Sequence, residues 1–214
     1  MTGEIDLADS LRQAILRRDF VGGQRLVEAD LRERFGATRF VIRSALQSLS
    51  AEGLVEVRRN HGARVRTVSI EEAIEITEVR RALEGLCAAR AAERATAADR
   101  RDLRAIVRTM RATAKTGELV RYSELNGSLH AAIRSLAHHE TCARILEQLR
   151  GQIVRHQFQL ALVPGRPAVS LPQHEAIVTA IVAGDGEAAE AAMQRHIDSV
   201  IDALRALAAA RAHR

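Results

Sequence analysis

Residues 36–46 run Gly36-Ala37-Thr38-Arg39-Phe40-Val41-Ile42-Arg43-Ser44-Ala45-Leu46. Thr38 suits a helix N-cap, because its hydroxyl can accept a hydrogen bond from a first-turn amide. From Ile42 onward apolar residues recur at i, i+3, i+4 and i+7, which predicts a helix with one buried face. Residues 28–35 predict a shorter helix that is closed by Gly36. Together the two segments predict a helix-turn-helix.

The flanking sequence extends this unit on both sides. Apolar spacing predicts a first helix over about residues 6–18, followed by a turn at Gly22-Gly23. After Gly53, two short β-prone runs cover residues 54–58 and 63–67, and the turn between them contains glycine. Three helices followed by a two-stranded hairpin form the winged helix-turn-helix plan.

The remainder of the chain shows only helical patterns. Helical periodicity recurs over residues 71–95, 97–115, 118–136, 140–163, 172–183 and 186–210. Glycine and proline clusters separate several of these segments. We therefore predict a mainly α protein, with a winged helix-turn-helix domain over residues 1–68 and an all-helical bundle over residues 69–214.

The predicted second helix of the helix-turn-helix carries a candidate DNA-reading face. Arginine can bind guanine O6 and N7 with two hydrogen bonds in the major groove, and it also binds phosphates. A glycine at the wing tip would let the backbone approach the DNA. The predicted DNA-binding residues are Thr38, Arg39, Phe40, Arg43 and Ser44 on the helix and Arg58, Arg59, His61 and Gly62 on the wing. Phe40 could contact a thymine methyl or pack against the second domain.

Composition favours duplex DNA as the partner. The net charge of +5 permits nucleic-acid binding. Proteins that bind single strands stack bases on aromatic side chains, and this chain has four Phe, one Tyr and no Trp. The N-terminus lacks the pattern of a secretion signal, so we expect a cytoplasmic protein. Cys87 and Cys142 fit no metal spacing and are expected to be buried helix residues.

Histidines in the predicted bundle suggest a second site. Asn126 and His130 lie four residues apart on one predicted helix face. His174 would open the fifth bundle helix, and His196 lies on the last. Three imidazoles and one oxygen ligand suit Zn²⁺, or Ni²⁺ and Mn²⁺ with added water. Isolated histidines are more often ordinary core or surface residues, and we expect surface positions for His138, His139, His156 and His213.

Several short motifs carry a resemblance to a known family. They are Thr38-Arg39, Arg43, Ala45-Leu46, Glu52-Gly53-Leu54-Val55 and Gly62 in the first domain, and Arg80, Leu83-Glu84, Leu129-His130, His174, Ile177, Ala180-Ile181, Gly184-Asp185, Ala189 and His196-Ile197 in the second. With these the chain resembles the GntR family of bacterial transcription regulators, in the branch with a helical FadR-type C-terminal domain, here of the shorter six-helix kind.

The resemblance implies a homodimer that binds a palindromic operator and responds to a small carboxylic acid. It also implies a divalent metal held by Asn126, His130, His174 and His196, with Arg80 facing the ligand. The alternative for Arg80 is a surface ion pair with Glu84. The sequence departs from the family where Asn126 replaces the usual aspartate, which removes a negative charge from the metal site.

The function that we expect is a ligand-responsive transcription regulator, a repressor in most of this family. A metallohydrolase is disfavoured, because the sequence places no general base by motif and contains no His-Glu-x-x-His pattern. A constitutive DNA-binding dimer with a vestigial metal and effector site remains open as the alternative, since Asn126 contributes no charge.

Overall fold

The structure is a computed structural model, and it describes residues 7–17, 19–58, 62–161 and 163–212. The chain divides into two compact units. The first comprises residues 1–68 together with residues 150–155, and the second comprises residues 69–149 and 156–214.

The first unit is a winged helix-turn-helix. Its elements are α1 (Leu7–Leu16), β1 (Arg25–Leu26), α2 (Glu28–Phe35), α3 (Arg39–Ala51), β2 (Val55–Arg58) and β3 (Gly62–Val65). The antiparallel sheet has the order β1-β3-β2. The three helices and the hairpin agree with the sequence prediction. Strand β1 was not predicted, because two residues are too few to show an alternating pattern.

Helix α3 packs through the apolar face that its sequence predicts. Ile42, Ala45, Leu46 and Leu49 are all buried in the core of this unit. Arg12 of α1 binds Glu52 at the end of α3 through two hydrogen bonds of 2.7 Å each. A bidentate arginine–carboxylate pair constrains the relative orientation of the two side chains as well as their distance. The opposite face of α3 is therefore held outward in a defined orientation.

Among its described residues the second unit contains six α-helices and no strand. Its elements are α4 (Ile70–Arg94), α5 (Ala97–Thr116), α6 (Leu119–Leu136), α7 (Glu140–Ala161), α8 (Arg166–Ala183) and α9 (Gly186–Ala212), with residues 150–155 of α7 assigned to the first unit. Helix α8 begins at Arg166 rather than at residue 172, so His174 lies inside it. The prediction was wrong because proline in a first turn, here Pro167, costs no helical hydrogen bond.

Small residues let α4 and α9 pack closely. Ala88, Ala91 and Ala189 are fully buried in the bundle core. A Cβ added to Gly85 of α4 would lie only 3.1 Å from Gln194 Cγ of α9. This close packing brings polar residues of α4 and α9 into the interior together with those of α6 and α8.

No described helix combines the length and the apolar character that crossing a membrane requires.

Candidate functional site

Helix α3 begins where its sequence predicts. Gly36 ends α2 in the left-handed conformation (φ 64°), and Thr38 Oγ1 accepts a hydrogen bond of 3.4 Å from the Val41 amide. Arg39, Arg43 and Ser44 are exposed, as is Thr38. Phe40 is 81% exposed, so its side chain is available for a DNA contact.

A groove runs beside this exposed face, within the first unit. Arg39, Arg43 and Gln47 line it from α3, and Val57 and Gly62 line it from the hairpin. The helix and the wing therefore border one concave surface. Both elements can contact a duplex that is placed against it.

The wing is described only in part. Arg58 is exposed and pairs with Glu56 at 3.2 Å, and Gly62 has φ 78°, which a side chain would disfavour. Arg59 and His61, two predicted contacts, lie outside the described residues.

Glu28 was not anticipated as part of the DNA-reading face. Its carboxylate lies 2.8 Å from Arg43 Nε and 3.4 Å from Arg39 Nε. The two arginines of α3 that are predicted to contact DNA thus share one acidic partner at the start of α2. The sequence offered no signal for this contact, since Glu28 precedes Arg43 by 15 residues.

Replacing Glu28 with glutamine is expected to tighten binding to a scrambled duplex by up to about fivefold. An exposed ion pair contributes up to about 1 kcal/mol, and its loss frees both arginines for phosphates. Discrimination between a specific and a scrambled duplex should fall, because the guanidinium groups lose their orientation. Fluorescence anisotropy titrations would measure both affinities. Glu33→Gln, on the exposed surface of the same helix, is the matched control; an equal effect of the two substitutions would contradict the prediction.

Three histidines from three helices meet in the second unit. His130 of α6, His174 of α8 and His196 of α9 are buried, and one ring nitrogen of each lies within 4.8 Å of those of the other two. The ring centroids of His174 and His196 are 4.3 Å apart, and His130 lies 5.2 Å from His196. The structure brings together three of the four predicted ligands.

Each histidine uses its Nδ1 atom to contact a polar neighbour. His130 Nδ1 donates to Glu84 at 2.5 Å, and His196 Nδ1 donates to Gln173 at 3.0 Å. His174 Nδ1 lies 3.4 Å from the Tyr122 hydroxyl. In His130 and His196 the acceptor oxygen fixes the proton on Nδ1. The lone pair of each ring is then on Nε2. The sequence could not predict these partners, because each lies on a different helix from the histidine that it contacts.

Two of the rings are held in the neutral form. Burial, together with the neighbouring His130, lowers the pKa of His174 well below its usual value. Burial, together with the neighbouring His174 and His130, does the same to the pKa of His196. Neutral imidazole is the form that binds a metal ion.

Arg80 and Glu84 of α4 form a buried ion pair beside this cluster. Arg80 Nη2 donates to one carboxylate oxygen of Glu84, while His130 contacts the other. Burial opposes ionisation of Glu84, but Arg80 and His130 outweigh it and hold its pKa well below the usual range. The sequence offered this pair as a surface ion pair; the pair forms at the i, i+4 spacing, but its surface position is wrong, because tertiary packing buries it against His130.

Asn126 is half-buried on α6, one turn before His130. Among the described residues no hydrogen bond of its amide is recorded, so its oxygen stays a predicted ligand. His156 is buried, so its predicted surface position is wrong; the helical pattern around it did not reveal which face points inward. His138 and His139 are exposed as predicted, and His213 lies outside the described residues.

Cys87 and Cys142 are buried helix residues, as predicted. Their Sγ atoms are nonetheless 3.3 Å apart, although 55 residues separate them in the chain. Burial and the hydrogen bond with Cys142 raise the pKa of Cys87 to about 12. The Cys87 thiol therefore stays protonated, and neither cysteine belongs to the histidine cluster.

The histidine cluster fits a divalent metal. Its three imidazoles are the donor type that Zn²⁺ accepts, and partners at Nδ1 are typical of metal-binding histidines. His174 Nε2 is completely buried and has no hydrogen-bond partner among the residues that the structure describes. An unpartnered buried nitrogen is costly unless a ligand satisfies it. The residues present could therefore hold a metal ion.

An exposed arginine face on a winged helix-turn-helix, combined with a separate helical unit that contains a three-histidine cluster, defines a DNA-binding regulator. Residues 5–65 match the family model for bacterial regulatory proteins of the gntR family, and residues 75–199 match the FCD domain. The chain belongs to the GntR family, in the branch that carries an FCD domain.

Known proteins of similar sequence and fold are regulators too. The HTH-type transcriptional repressor RspR of Escherichia coli is 27% identical over 196 residues, covering 89% of this chain and 86% of that protein. The HTH-type transcriptional regulator LutR of Bacillus subtilis is 27% identical over 194 residues, covering 81% and 88%. The solved structure of E. coli McbR/YncC has the same fold, with a TM-score of 0.78 at 19% identity over 94% of this chain and 96% of that one. The protein is a transcription regulator and not an enzyme.

Proposed function

We propose that this regulator responds to a small carboxylic acid, which binds with a divalent metal in the C-terminal unit and lowers affinity for the operator. The observation that carries the proposal is the buried cluster of His130, His174 and His196, with His174 Nε2 unpartnered. A buried site of this kind inside a DNA-binding protein suits a sensor.

The metal that fits best is Zn²⁺, with Ni²⁺ or Mn²⁺ as alternatives if water completes the coordination. His130, His174 and His196 would supply nitrogen ligands, and Asn126 would supply an amide oxygen. When bound, the metal provides a positive charge that attracts a carboxylate. Arg80 can add hydrogen bonds to the acid but little net charge, because Glu84 compensates it.

We infer a homodimer that binds a palindromic operator. A single helix-turn-helix reads only one half-site, and a two-fold protein presents two recognition helices to successive major grooves. Thr38, Arg39, Phe40, Arg43 and Ser44 would contact the DNA from α3, with Arg58, Arg59, His61 and Gly62 contributing from the wing. Acid binding would favour a dimer geometry in which the two helices no longer match the operator, and the protein would act as a repressor.

The test combines DNA selection with titration. A duplex enriched from a random pool would be titrated by anisotropy with zinc-loaded and with chelator-stripped protein, in the presence of acetate, butyrate or succinate. We expect an acid to lower the affinity of the zinc-loaded protein by about 5- to 150-fold, the usual range of allosteric coupling, and to have no effect on the stripped protein. Equal affinities throughout would contradict the proposal and favour the constitutive dimer. Sedimentation should give twice the 23.5 kDa chain mass.

A further inference from the structure

The histidine cluster offers a metal no negative charge. The three imidazoles and the amide of Asn126 are neutral ligands, and the cluster contains no carboxylate among the described residues. Glu84 is close, but Arg80 and His130 Nδ1 already occupy its oxygens. A bound divalent ion would therefore keep its full charge, and the ligand must balance that charge.

A second cation lies in the same unit. Arg166 is half-buried at the start of α8, and Arg166, Ser170 and His174 follow one another at i, i+4 and i+8 on one helix face. Ser170 and His174 are buried, so this face points into the bundle. These three residues follow one face of α8 from Arg166 to the histidine cluster.

The contacts of Arg166 leave its charge uncompensated. Its Nη1 donates to the Ser199 hydroxyl at 3.0 Å and to the Ser199 carbonyl at 3.3 Å. No ion pair of Arg166 with a carboxylate is found in the described part of the chain. Nε and Nη2 remain as adjacent donors, an arrangement that matches the two oxygens of a carboxylate.

Arg166 is also near the histidines. Its partner Ser199 is three residues after His196 on α9, about 4.5 Å along the helix axis. The Tyr122 hydroxyl contacts the same face of α8, 2.9 Å from Ser170 Oγ and 3.4 Å from His174 Nδ1. Burial lowers the pKa of Arg166, and the nearby Tyr122 partly offsets this effect. Arg166 and the histidine cluster therefore share the same faces of α8 and α9.

We propose that the effector is a short dicarboxylate, one carboxylate on the metal and the other on Arg166. The inference rests on the proposed function and extends it by naming the ligand class. Two positive centres, the metal and an unpaired arginine, favour a dianion over a monocarboxylate. Arg166 then determines specificity, while Arg80, neutralised by Glu84, contributes hydrogen bonds only.

Calorimetry on the zinc-loaded full-length protein tests this with matched acids. Succinate and butyrate have the same four-carbon chain but differ by one carboxylate. We expect succinate to bind at least tenfold more tightly than butyrate. Arg166→Gln should abolish that preference and change butyrate affinity by less than twofold, and Arg166→Lys should restore part of it. Arg104→Gln, which removes an exposed charge from α5, should behave as wild type.

The outcomes separate this inference from the proposed function. Equal binding of succinate and butyrate by the wild type would overturn the dicarboxylate and leave a carboxylate sensor standing. An equal loss of both acids in Arg166→Gln would show a structural role for Arg166, as would a loss of folding detected by circular dichroism that Arg166→Lys does not rescue. Loss of the preference in Arg80→Gln but not in Arg166→Gln would assign the second carboxylate to Arg80. Absence of binding by either acid would overturn both proposals.

Discussion

Arg43→Ala is expected to remove most of the discrimination between the selected operator and a scrambled duplex. A bidentate arginine–guanine contact contributes about 1–3 kcal/mol of discrimination per half-site, and a dimer makes the contact twice. Arg43 is exposed at the centre of the outward face of α3, and its only recorded partner among the described residues is Glu28. Anisotropy titrations at several salt concentrations would measure the affinity for both duplexes.

Arg58→Ala is the matched control for this prediction. Arg58 lies on the wing, where arginine is expected to contact the sugar-phosphate backbone. Its replacement should weaken binding to both duplexes alike. It should also lower, by about one, the slope of the logarithm of affinity against the logarithm of salt concentration. Full discrimination by Arg43→Ala would show that α3 does not read bases through this residue. If Arg43→Ala changes only the salt dependence of binding, Arg43 binds phosphates instead of bases.

Local signals in the sequence predicted the helix-turn-helix well. Gly36 and Thr38 sit where a helix must end and the next must begin, and the apolar stripe of α3 is buried as its spacing predicts. Such features depend on a few neighbouring residues and the backbone conformations that they allow. The predicted start of α8 lies too late in the chain, because Pro167 has the pattern of a break although proline is tolerated in a first turn.

The composition of the histidine cluster could be predicted only in part. Positions on the predicted helices and the family resemblance together predicted His130, His174 and His196, and the fold brings them together. The partners at their Nδ1 atoms, the burial of Glu84 and the position of Arg166 depend on how four helices pack. Contacts over tens of residues leave no periodic trace in one sequence. The same limit hid the contact between Cys87 and Cys142 and the burial of His156.

His174→Ala is expected to abolish metal binding. His174 is completely buried, and its ring lies nearest to that of His196. Within the described part of the chain its Nε2 has no hydrogen-bond partner. Without it only two imidazoles remain, too few for a stable zinc site of ordinary geometry. Mass spectrometry on protein purified without an affinity metal column should find about one divalent ion per wild-type chain. The variant should bind zinc at least a hundredfold more weakly in competition with a chromophoric chelator.

The loss of metal must be separated from a loss of packing. Ile177→Ala, one turn later on α8, empties an equally buried position and should cost about 2–5 kcal/mol of stability while keeping the metal. Zinc at about a thousand times its Kd should stabilise wild type and Ile177→Ala by about 4 kcal/mol, and should not stabilise His174→Ala. A full complement of metal in His174→Ala would place the ion elsewhere. Absence of zinc binding by the wild type would mean that neutral Asn126 disables the site, and any effector would then depend on the arginines alone.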